Sequence, residues 1–583
     1  DSGAAPTLAP SVDRMWRQTG DVEMNERARV RAEVRAELVG PDGFFETTEE
    51  IVRGWPVEVF ANRARSVRDM VVNTEGHGDN EFLVLGDQRI TYPEFRDQVA
   101  AVATGLASHG VGPGDRVAIL AANRPEWVVG FFAAASMGAI TAAYNGWWTE
   151  TEIQHATELT EPKAILGDAK RLERHGAVPE GTVVLDMDED FTALLATPAD
   201  GLPDVPLAED DPALILFTSG TTARAKGTLV SHRGMVGFVQ SAFCAGAERM
   251  FVEDRLGNAA PAGGGDQMAI LMTSPLFHVS GLFAGVLIGI STGAKLVFRS
   301  GRFDPEDVLR LIEQERITNW AAIGSMGPRV LDCPALATAD VSSVTNVGFG
   351  GAPVTPELQQ RMRDAFPNAA TSVGMGYGSS ESVAVATMIG GPDLEEHPRS
   401  CGTTTATFEI EIRDENGRPV PDGADGIVYV RSPYTMLGYW KDPETTAATL
   451  ADDGWLSMGD IGRIEDGFLT LNSRARDMIL RAAENIAPAE IELRLAAHPD
   501  VDEAAVVGVD HPELGQEVKA FVVPRSGATL TETDLEAWAG ETLAPYKVPS
   551  LWEITTDELP RNAAGKVVKT ALTGERALDQ FED

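Results

Sequence analysis

Short apolar runs alternate with longer amphipathic segments in the first part of the chain. Residues 116–120, 164–166 and 182–185 are apolar runs of strand length, whereas residues 93–109 and 126–137 repeat their apolar positions at helical spacing. Strands that alternate with helices along a chain usually form a parallel sheet with helices packed on it. The pattern therefore predicts an α/β fold with a largely parallel sheet.

The period of the apolar positions changes to two over residues 410–430. Turn signals stand within this stretch at Asn416-Gly417 and Asp422-Gly423. Such a pattern is typical of half-buried antiparallel strands, so we predict a β-rich subdomain after the α/β part. Nearer the end, short strands at residues 504–509 and 518–523 alternate with helical segments, which predicts a compact small domain.

The chain is too long for a single core. It has 583 residues, 43% of them hydrophobic, which suits an enzyme built from several subdomains. Its formal net charge of −40 would repel phosphate backbones and anionic lipid, so we expect no nucleic-acid and no membrane-surface partner. Residues 128–143 and 281–290 are the most hydrophobic stretches, and their short length favours buried helices over stable membrane insertion.

The cysteines and residues 1–10 indicate in which cellular compartment the protein is expected. Cys244, Cys333 and Cys401 lie far apart, which argues against a disulfide framework and a zinc site. Residues 1–10 have no apolar core, unlike a signal peptide. We therefore expect a cytoplasmic protein. Residues 12–39 alternate charged with spaced apolar residues, which predicts a polar helix on the surface.

One stretch has the composition of a phosphate-binding loop. The apolar residues 213–217 open into hydroxyl groups, glycines and a lysine at residues 218–227. Backbone N–H groups of such a loop bind anions, and Lys226 adds a positive charge. The spacing differs from Gly-x-x-x-x-Gly-Lys-Ser/Thr, because Ala225 precedes the lysine and Gly227 follows it. A loop of this composition alone is most often an ordinary turn, so other segments must decide.

Three further segments place polar or small residues after apolar runs. His278 follows residues 268–277, a pair of glycines follows residues 344–348, and residues 376–381 combine a tyrosine, serines and a glutamate. Glycines let a flat ring approach the backbone. A ring, a hydroxyl and a carboxylate together could stack a base, contact a phosphate oxygen and bind Mg²⁺. Each segment alone is also compatible with a structural role.

In this order, and over residues 82–569, these segments resemble the adenylate-forming superfamily, which contains acyl-CoA synthetases, peptide-synthetase adenylation domains and firefly luciferase. The resemblance implies a large N-terminal domain of α/β subdomains with a β-rich subdomain, followed by a small mobile α+β C-terminal domain. We expect an N-terminal extension at residues 1–45, the large domain at residues 46–475 and the small domain at residues 476–583.

The resemblance also assigns the residues that bind ATP and Mg²⁺. The loop would hold the β- and γ-phosphates, and Glu381 would be the metal ligand. The nucleotide-binding residues that it implies are Thr218, Ser219, Gly220, Thr221, Thr222 and Lys226 for the phosphates, Gly350, Gly351, Ala352 and Tyr377 for the adenine, Ser380 for the α-phosphate, and Asp460 and Arg474 for the ribose.

The remaining assignments concern catalysis and the second substrate. Lys566 would be the catalytic lysine that, with Glu381, neutralises the charge of the adenylation step. Arg476 would be the hinge about which the small domain turns. His278 would belong to the catalytic site and would line the acyl pocket with Gly324 and Met326, where small and apolar residues favour a large hydrophobic acid, either medium- to long-chain or polycyclic. The residues facing CoA would be Arg481, Ala482 and Ala483.

The predicted function is ATP-dependent ligation of such an acid to CoA through acyl-AMP, with ATP, Mg²⁺ and CoA as cofactors. The chain departs from the family pattern at Ala223, Ala225 and Ala482, where Gly, Pro and Gly are usual. Two alternatives therefore stay open: an enzyme that performs only one half-reaction, on a supplied acyl-adenylate or for a carrier protein, and a non-catalytic nucleotide or acyl-adenylate binding protein. The sequence identifies neither the acid nor the oligomeric state, for which a homodimer is one option.

Overall fold

The structure is a computed structural model, and it describes residues 25–218, 225–258, 267–350, 354–383, 385–474, 477–481, 484–511, 514–561 and 567–574. The strands within these ranges are β1 Thr47–Val52, β2 Trp55–Phe60, β3 Glu81–Leu85, β4 Gln88–Thr91, β5 Arg116–Leu120, β6 Ile140–Ala143, β7 Ala164–Gly167, β8 Val183–Asp186, β9 Pro212–Thr218, β10 Lys226–Ser231, β11 Ala269–Met272, β12 Lys295–Phe298, β13 Asn319–Ala321, β14 Asn346–Phe349, β15 Gly374–Tyr377, β16 Thr387–Gly390, β17 Ser400–Thr404, β18 Glu409–Arg413, β19 Gly426–Arg431, β20 Gly438–Tyr439, β21 Leu456–Glu465, β22 Phe468–Arg474, β23 Ile479–Arg481, β24 Glu484–Ile486, β25 Val501–His511, β26 Gly515–Pro524 and β27 Leu551–Ile554.

The α-helices in the same part of the chain are α1 Glu26–Val39, α2 Val67–Asn73, α3 Tyr92–Ser108, α4 Pro125–Ser136, α5 Glu150–Thr160, α6 Ala169–Leu172, α7 Phe191–Leu195, α8 His232–Arg255, α9 Val279–Gly281, α10 Ile288–Thr292, α11 Pro305–Glu315, α12 Met326–Leu331, α13 Pro356–Ala365, α14 Pro392–Glu396, α15 Pro443–Thr449, α16 Pro488–Ala496, α17 Glu532–Gly540 and α18 Lys569–Leu572. A π-helical turn, Leu282–Leu287, joins α9 to α10, and short 3₁₀ turns occupy Thr74–His77, Pro334–Ala337 and Pro367–Ser372.

Two large sheets carry most of the fold. The first has the strand order β20-β10-β9-β6-β5-β7-β8, and its strands from β9 to β8 are parallel. The second has the order β18-β19-β21-β22-β17-β16-β15-β14-β13-β11-β12-β3-β4. It is parallel from β15 to β3 and antiparallel from β15 to β18. The predicted succession of parallel α/β structure and a β-rich part is thus confirmed.

Helices between the two sheets fill the main core. Phe95 of α3, Phe131 and Phe132 of α4 and Phe238 of α8 are buried in one apolar cluster with residues of both large sheets. A separate cluster in the last part of the chain gathers side chains of β23, α16, β25, β26 and α17. The C-terminal part therefore has its own core, as expected of a small α+β domain.

Two elements differ from the sequence prediction. The strand predicted at residues 268–277 ends at Met272, because the chain turns through residues 273–278, where Pro275 has no N–H to donate to a strand. Helix α1 buries one face instead of lying on the surface. Its buried Arg31 and Arg35 pair with Asp393 and Glu248, and a buried charge is tolerated when it is paired in this way.

Helix length and hydropathy also bear on membrane insertion. Among the described residues, none of the helices is both long enough and apolar enough to cross a membrane.

Candidate active site

The predicted site residues gather along one edge of the second sheet. Strands β11, β13, β14 and β15 are adjacent and parallel, so the segments that follow them emerge at the same edge. His278 follows β11, Gly324 and Met326 follow β13, Gly350 follows β14, and Tyr377 ends β15. The carboxyl edge of a parallel sheet is where α/β proteins usually bind ligands.

The predicted phosphate loop connects two paired strands. Strands β9 and β10 are antiparallel, and Thr218 is the pairing partner of Lys226 at the end next to the loop. The Lys226 ammonium lies 5.3 Å from the centroid of the Tyr439 ring. Within the described residues it has no carboxylate at ion-pair distance. The two residues that flank the loop are therefore held side by side, with the lysine charge available to an anionic ligand.

Glu381 accepts a hydrogen bond from a tyrosine that the sequence reasoning missed. The Tyr439 hydroxyl donates to Oε1 of Glu381 over 2.8 Å. Burial, together with the negative charge of Glu381, raises the pKa of Tyr439 far above its ordinary value, so the hydroxyl remains a donor. Tyr439 reaches the site because β20 pairs with β10. The aromatic pair Tyr439-Trp440 after a glycine was the available signal.

The backbone around Glu381 is tightly constrained. The Glu381 N–H donates to Oγ of Ser379 over 3.2 Å, and the Glu381 carbonyl accepts from the Met436 N–H over 2.8 Å. Ser380, between them, lies in the same turn. Val383 has a φ of +62°, which is unfavourable for a β-branched residue. Backbone strain of this kind persists only where surrounding structure enforces it, and it is frequent at ligand sites.

A second tyrosine–carboxylate pair involves Tyr377, four residues before Glu381. The Tyr377 hydroxyl donates to Oδ2 of Asp460 over 2.6 Å. Asp460 is buried in β21 and is the pairing partner of Arg474 in β22. Burial and the charge of Asp460 raise the pKa of the Cys401 thiol to about 12, so this cysteine stays protonated. Tyr377, predicted for the adenine, is thus held to Asp460, predicted for the ribose, and Arg474 pairs with Asp460 in the sheet.

Two aromatic rings lie in a row on one side of His278. Its ring lies 4.9 Å from that of Phe277, which in turn meets Trp147 edge-on at 5.9 Å. The side chain keeps part of its surface accessible, as expected at the wall of a cleft. Burial lowers the pKa of His278 to about 4, so the imidazole is neutral at physiological pH. A neutral imidazole among aromatic rings suits an apolar ligand.

Gly324 and Met326 form the neighbouring wall after β13. Gly324 has a φ of +57°, a turn conformation that favours glycine. Met326 begins α12 and packs against an apolar cluster on that side of the sheet. At the next strand, a Cβ added to Gly348 would meet open space. The wall therefore has room beside an apolar surface.

Two described segments of the C-terminal part adjoin predicted site residues. Arg481 pairs with Glu517 over 2.7 Å. The loop that contains Lys566 is closed at its base by a bridge between Arg561 and Val567, and Arg561 also pairs with Glu503. Burial and the like charge of Asp332 raise the pKa of Asp502, which precedes Glu503 in the sequence. The bridge therefore places Arg561 and Val567 side by side, at the two ends of the segment that contains Lys566.

Several predicted site residues lie outside the described residues, and so does Ala223. They are Ser219, Gly220, Thr221, Thr222, Gly351, Ala352, Arg476, Ala482, Ala483 and Lys566. Their roles stay predictions.

Comparison with known proteins identifies the family. The sequence matches the AMP-binding enzyme family over residues 71–440 and the AMP-binding enzyme C-terminal domain over residues 490–566. It is 33% identical over 485 residues to a feruloyl-CoA synthase of Amycolatopsis sp., covering 83% of this chain and 93% of that protein. It is 36% identical over 514 residues to a 3-[(3aS,4S,7aS)-7a-methyl-1,5-dioxo-octahydro-1H-inden-4-yl]propanoyl:CoA ligase of Mycobacterium tuberculosis, covering 85% and 95%.

A solved structure supports the fold. The ATP-bound crystal structure of MatB from Rhodopseudomonas palustris superposes with a TM-score of 0.77 at 26% identity, covering 87% of this chain and 98% of that one. The predicted superfamily and fold class are confirmed, and so is the enzyme class, an AMP-forming acid–thiol ligase with ATP, Mg²⁺ and CoA. Because the family match covers more than half of the chain, the chain belongs to the AMP-binding enzyme family.

Proposed function

We propose that this ligase activates a large hydrophobic carboxylic acid as acyl-AMP and transfers the acyl group to CoA. One observation carries the proposal: Tyr439, from the first sheet, contacts both the Lys226 ammonium and the Glu381 carboxylate. Glu381 follows β15 of the second sheet, where Tyr377 bonds to Asp460 and where an aromatic wall stands at His278, after β11. A cation beside hydroxyl-bonded carboxylates suits a nucleotide with its metal, and the aromatic wall suits an apolar acid.

The nucleotide would be held from three sides. The backbone of residues 219–222, with Thr218 and Lys226, would bind the β- and γ-phosphates. Ser380 would contact the α-phosphate. The Tyr377 ring would stack on the adenine against residues 350–352, while Asp460 and Arg474 would hold the ribose hydroxyls. The hydrogen bond from Tyr377 to Asp460 supports this arrangement, because it fixes the ring and the carboxylate relative to each other.

The residues present fit Mg²⁺. This ion prefers oxygen ligands and in nucleotide sites is usually held by one or two carboxylates, with phosphates and water as the other ligands. Glu381 offers a carboxylate whose Oε2 is not engaged by Tyr439. No group of three or more His, Cys, Asp or Glu side chains in the described residues could form an all-protein cage. When bound, Mg²⁺ would offset negative charge on the phosphates.

In the first step, a carboxylate oxygen of the acid forms a bond to the α-phosphorus of ATP. The bond from the α-phosphorus to the bridging oxygen breaks, and pyrophosphate leaves with the electron pair. Lys566 would lie against the developing negative charge, and Lys226 would hold the departing phosphates. Two anions must approach each other, so positioning and local positive charge account for much of the acceleration.

In the second step, the thiolate of CoA attacks the acyl carbon and forms a carbon–sulfur bond. The bond from the acyl carbon to the phosphate oxygen breaks, and AMP leaves with the electron pair. We propose that the large domain, residues 46–475, and the small domain, residues 476–583, change their relative orientation about Arg476 between the steps. Lys566 would then give way to the face of residues 481–483. The separate apolar core of the C-terminal part supports a unit that moves as a whole.

The acyl pocket would take a bulky apolar acid. The neutral His278, its aromatic neighbours and the open space at Gly348 support this class. The M. tuberculosis relative is named for an octahydro-indenyl propanoyl group, which supports the polycyclic option over the medium- to long-chain one. We also propose a reducing, cytoplasmic location, because Cys244, Cys333 and Cys401 are all free.

The test is a product analysis. The purified chain is incubated with ATP, Mg²⁺, CoA and a mixed panel of aryl, polycyclic, medium-chain and acetate substrates, and pyrophosphate and thioesters are measured. Acid-dependent pyrophosphate release with bulky acyl-CoA products supports the proposal. ATP binding without any turnover would instead indicate a non-catalytic binder, and thioester formation only from supplied acyl-AMP would indicate a single half-reaction.

A matched variant separates the two steps. Lys566→Ala should abolish pyrophosphate release but preserve transfer from a synthetic acyl-adenylate to CoA, because the lysine would act only in the first step. Lys569→Ala is the control, since Lys569 pairs with Glu492 in the same part of the chain. Equal loss of both steps in Lys566→Ala would contradict the alternation of domains. A phosphopantetheine-loaded carrier protein, assayed beside CoA, identifies the acceptor.

A further inference from the structure

A partly buried arginine lies at the tip of an N-terminal hairpin. Strands β1 and β2 pair antiparallel, with Val52 opposite Trp55, so Arg53 and Gly54 form the two-residue turn. Their φ values are +52° and +100°. Glycine, asparagine and aspartate are the usual residues at such turns, since left-handed backbone costs other residues about 1 kcal/mol. The hairpin precedes residue 71, where the match to the family begins.

The guanidinium of Arg53 contacts main-chain oxygens in place of a carboxylate. Nη1 donates to the carbonyls of Thr435 and Met436 over 3.1 and 2.7 Å, and Nη2 donates to Oγ1 of Thr435 over 2.9 Å. The Trp55 ring lies 5.2 Å away. Arg53 makes no ion pair within the described residues, and its buried Nε has no hydrogen-bond partner there. Burial lowers the pKa of Arg53 to about 10. An arginine used only to dock a hairpin would be expected to have a carboxylate partner.

The contacts of Arg53 lead directly to Glu381. The carbonyl of Thr435 and the N–H of Met436 belong to one peptide group. Arg53 donates to its oxygen, and its N–H donates to the Glu381 carbonyl over 2.8 Å. Hydrogen bonds linked through a peptide group polarise and strengthen one another. Residues 434–439 thus hold Glu381 twice, by the Met436 N–H and by the Tyr439 hydroxyl.

We infer that Arg53 is a positioning residue that fixes Glu381, through residues 434–439, for the nucleotide-bound metal. This inference rests on the proposed role of Glu381. The strained backbone of Val383, two residues beyond Glu381, explains why the turn needs such support. The N-terminal hairpin is on this account a functional part of the site, although it lies outside the matched family region.

The first test measures backbone protection and needs no activity. Hydrogen–deuterium exchange is recorded without nucleotide for the full-length chain, Arg53→Met and Arg53→Lys. Arg31→Met is the control, because it breaks a buried ion pair of the same N-terminal region with Asp393 and not a contact with residues 434–439. Arg53→Met should accelerate exchange of the Met436 amide about tenfold, as expected for loss of a charged hydrogen bond. Arg31→Met should leave that amide unchanged, and Arg53→Lys should restore part of the protection.

The second test measures the dependence of acid-dependent pyrophosphate release on free Mg²⁺. Arg53→Met should raise the half-saturating concentration about tenfold, and Arg31→Met should not change it. Equal effects of the two variants on the Met436 amide, or no effect of either, would show that Arg53 only docks the hairpin. If Arg53→Met does not fold, Thr435→Val is measured in its place; it removes the contact to Nη2 and the hydrogen bond from the Thr435 hydroxyl to the Ser432 carbonyl, and it keeps the two contacts of Nη1 with main-chain oxygens. A wild-type chain without pyrophosphate release would overturn the proposed function, and the exchange result would still decide the role of Arg53.

Discussion

Removal of the Tyr439 hydroxyl tests the candidate metal site most directly. Tyr439→Phe deletes the donor that lies 2.8 Å from Oε1 of Glu381 and keeps the ring beside Lys226. A hydrogen bond to a charged group contributes about 1.5–3 kcal/mol. If this energy orients the Glu381 carboxylate for Mg²⁺, its loss should raise the half-saturating Mg²⁺ concentration roughly ten- to hundredfold. The KM for ATP should change little, because the ring and the lysine are retained.

The assay is acid-dependent pyrophosphate release as a function of free Mg²⁺ at saturating ATP. Tyr429→Phe is the control, since its ring packs against Arg413 in the β-rich part, away from Glu381. A double-mutant cycle with Glu381→Gln, followed by calorimetric binding of Mg²⁺-ATP, isolates the pair. Strictly additive effects of Tyr439→Phe and Glu381→Gln would refute the reasoning, because residues in direct contact should be coupled.

Three further perturbations test other parts of the structure. Tyr377→Phe should raise the KM for ATP about tenfold in steady-state assays, with kcat less affected, because the Asp460 carboxylate loses its 2.6 Å hydrogen bond from Tyr377. Gly237→Ala should lower the free energy of unfolding by about 1–3 kcal/mol in denaturant titrations, because the added Cβ would lie 2.2 Å from the Tyr434 ring. Gly246→Ala on the same helix is the control: its Cβ would meet open space, so the free energy of unfolding should not fall. Burial lowers the pKa of His232 to about 4, so as the pH falls this histidine takes up its proton in the unfolded chain before it does so in the folded one. The free energy of unfolding of the wild type should therefore fall by up to ~3 kcal/mol between pH 6.5 and pH 4. His232→Gln should make this decline smaller when unfolding is measured across the same pH range.

Local patterns predicted the elements that depend on local physics. Helix α11 occupies residues 305–315 as predicted, because its apolar positions repeat at helical spacing and Asp304 caps its first turn. The turns at Asn416-Gly417 and Asp422-Gly423 both have glycine at positive φ, +74° and +77°. In each case a short window of sequence contains all the residues that determine the structure.

The connections that form the site could not be found in this way. Tyr439 donates a hydrogen bond to Glu381, 58 positions earlier in the sequence, and Tyr377 donates one to Asp460, 83 positions later. Arg53 contacts Thr435 across 382 positions. These pairs are created by the order of strands in the sheets, which local periodicity does not encode. The family resemblance supplied the roles of Tyr377 and Asp460, but it could not supply Arg53, which lies before the matched region.

The placement of one aromatic ring explains how a cation and an anion can share this site without neutralising each other. A lysine next to a glutamate would ordinarily form an ion pair, and the chain has 88 acidic residues against 48 Lys and Arg. Here the Tyr439 ring contacts the Lys226 ammonium, and its hydroxyl, at the far end of the ring, bonds to Glu381. The ring face attracts the cation, and the hydroxyl satisfies the carboxylate. Under the proposed function, Lys226 would therefore stay available to phosphate and Glu381 to Mg²⁺. Replacement of Tyr439 by a small or an aliphatic residue should then weaken the binding of both phosphate and Mg²⁺.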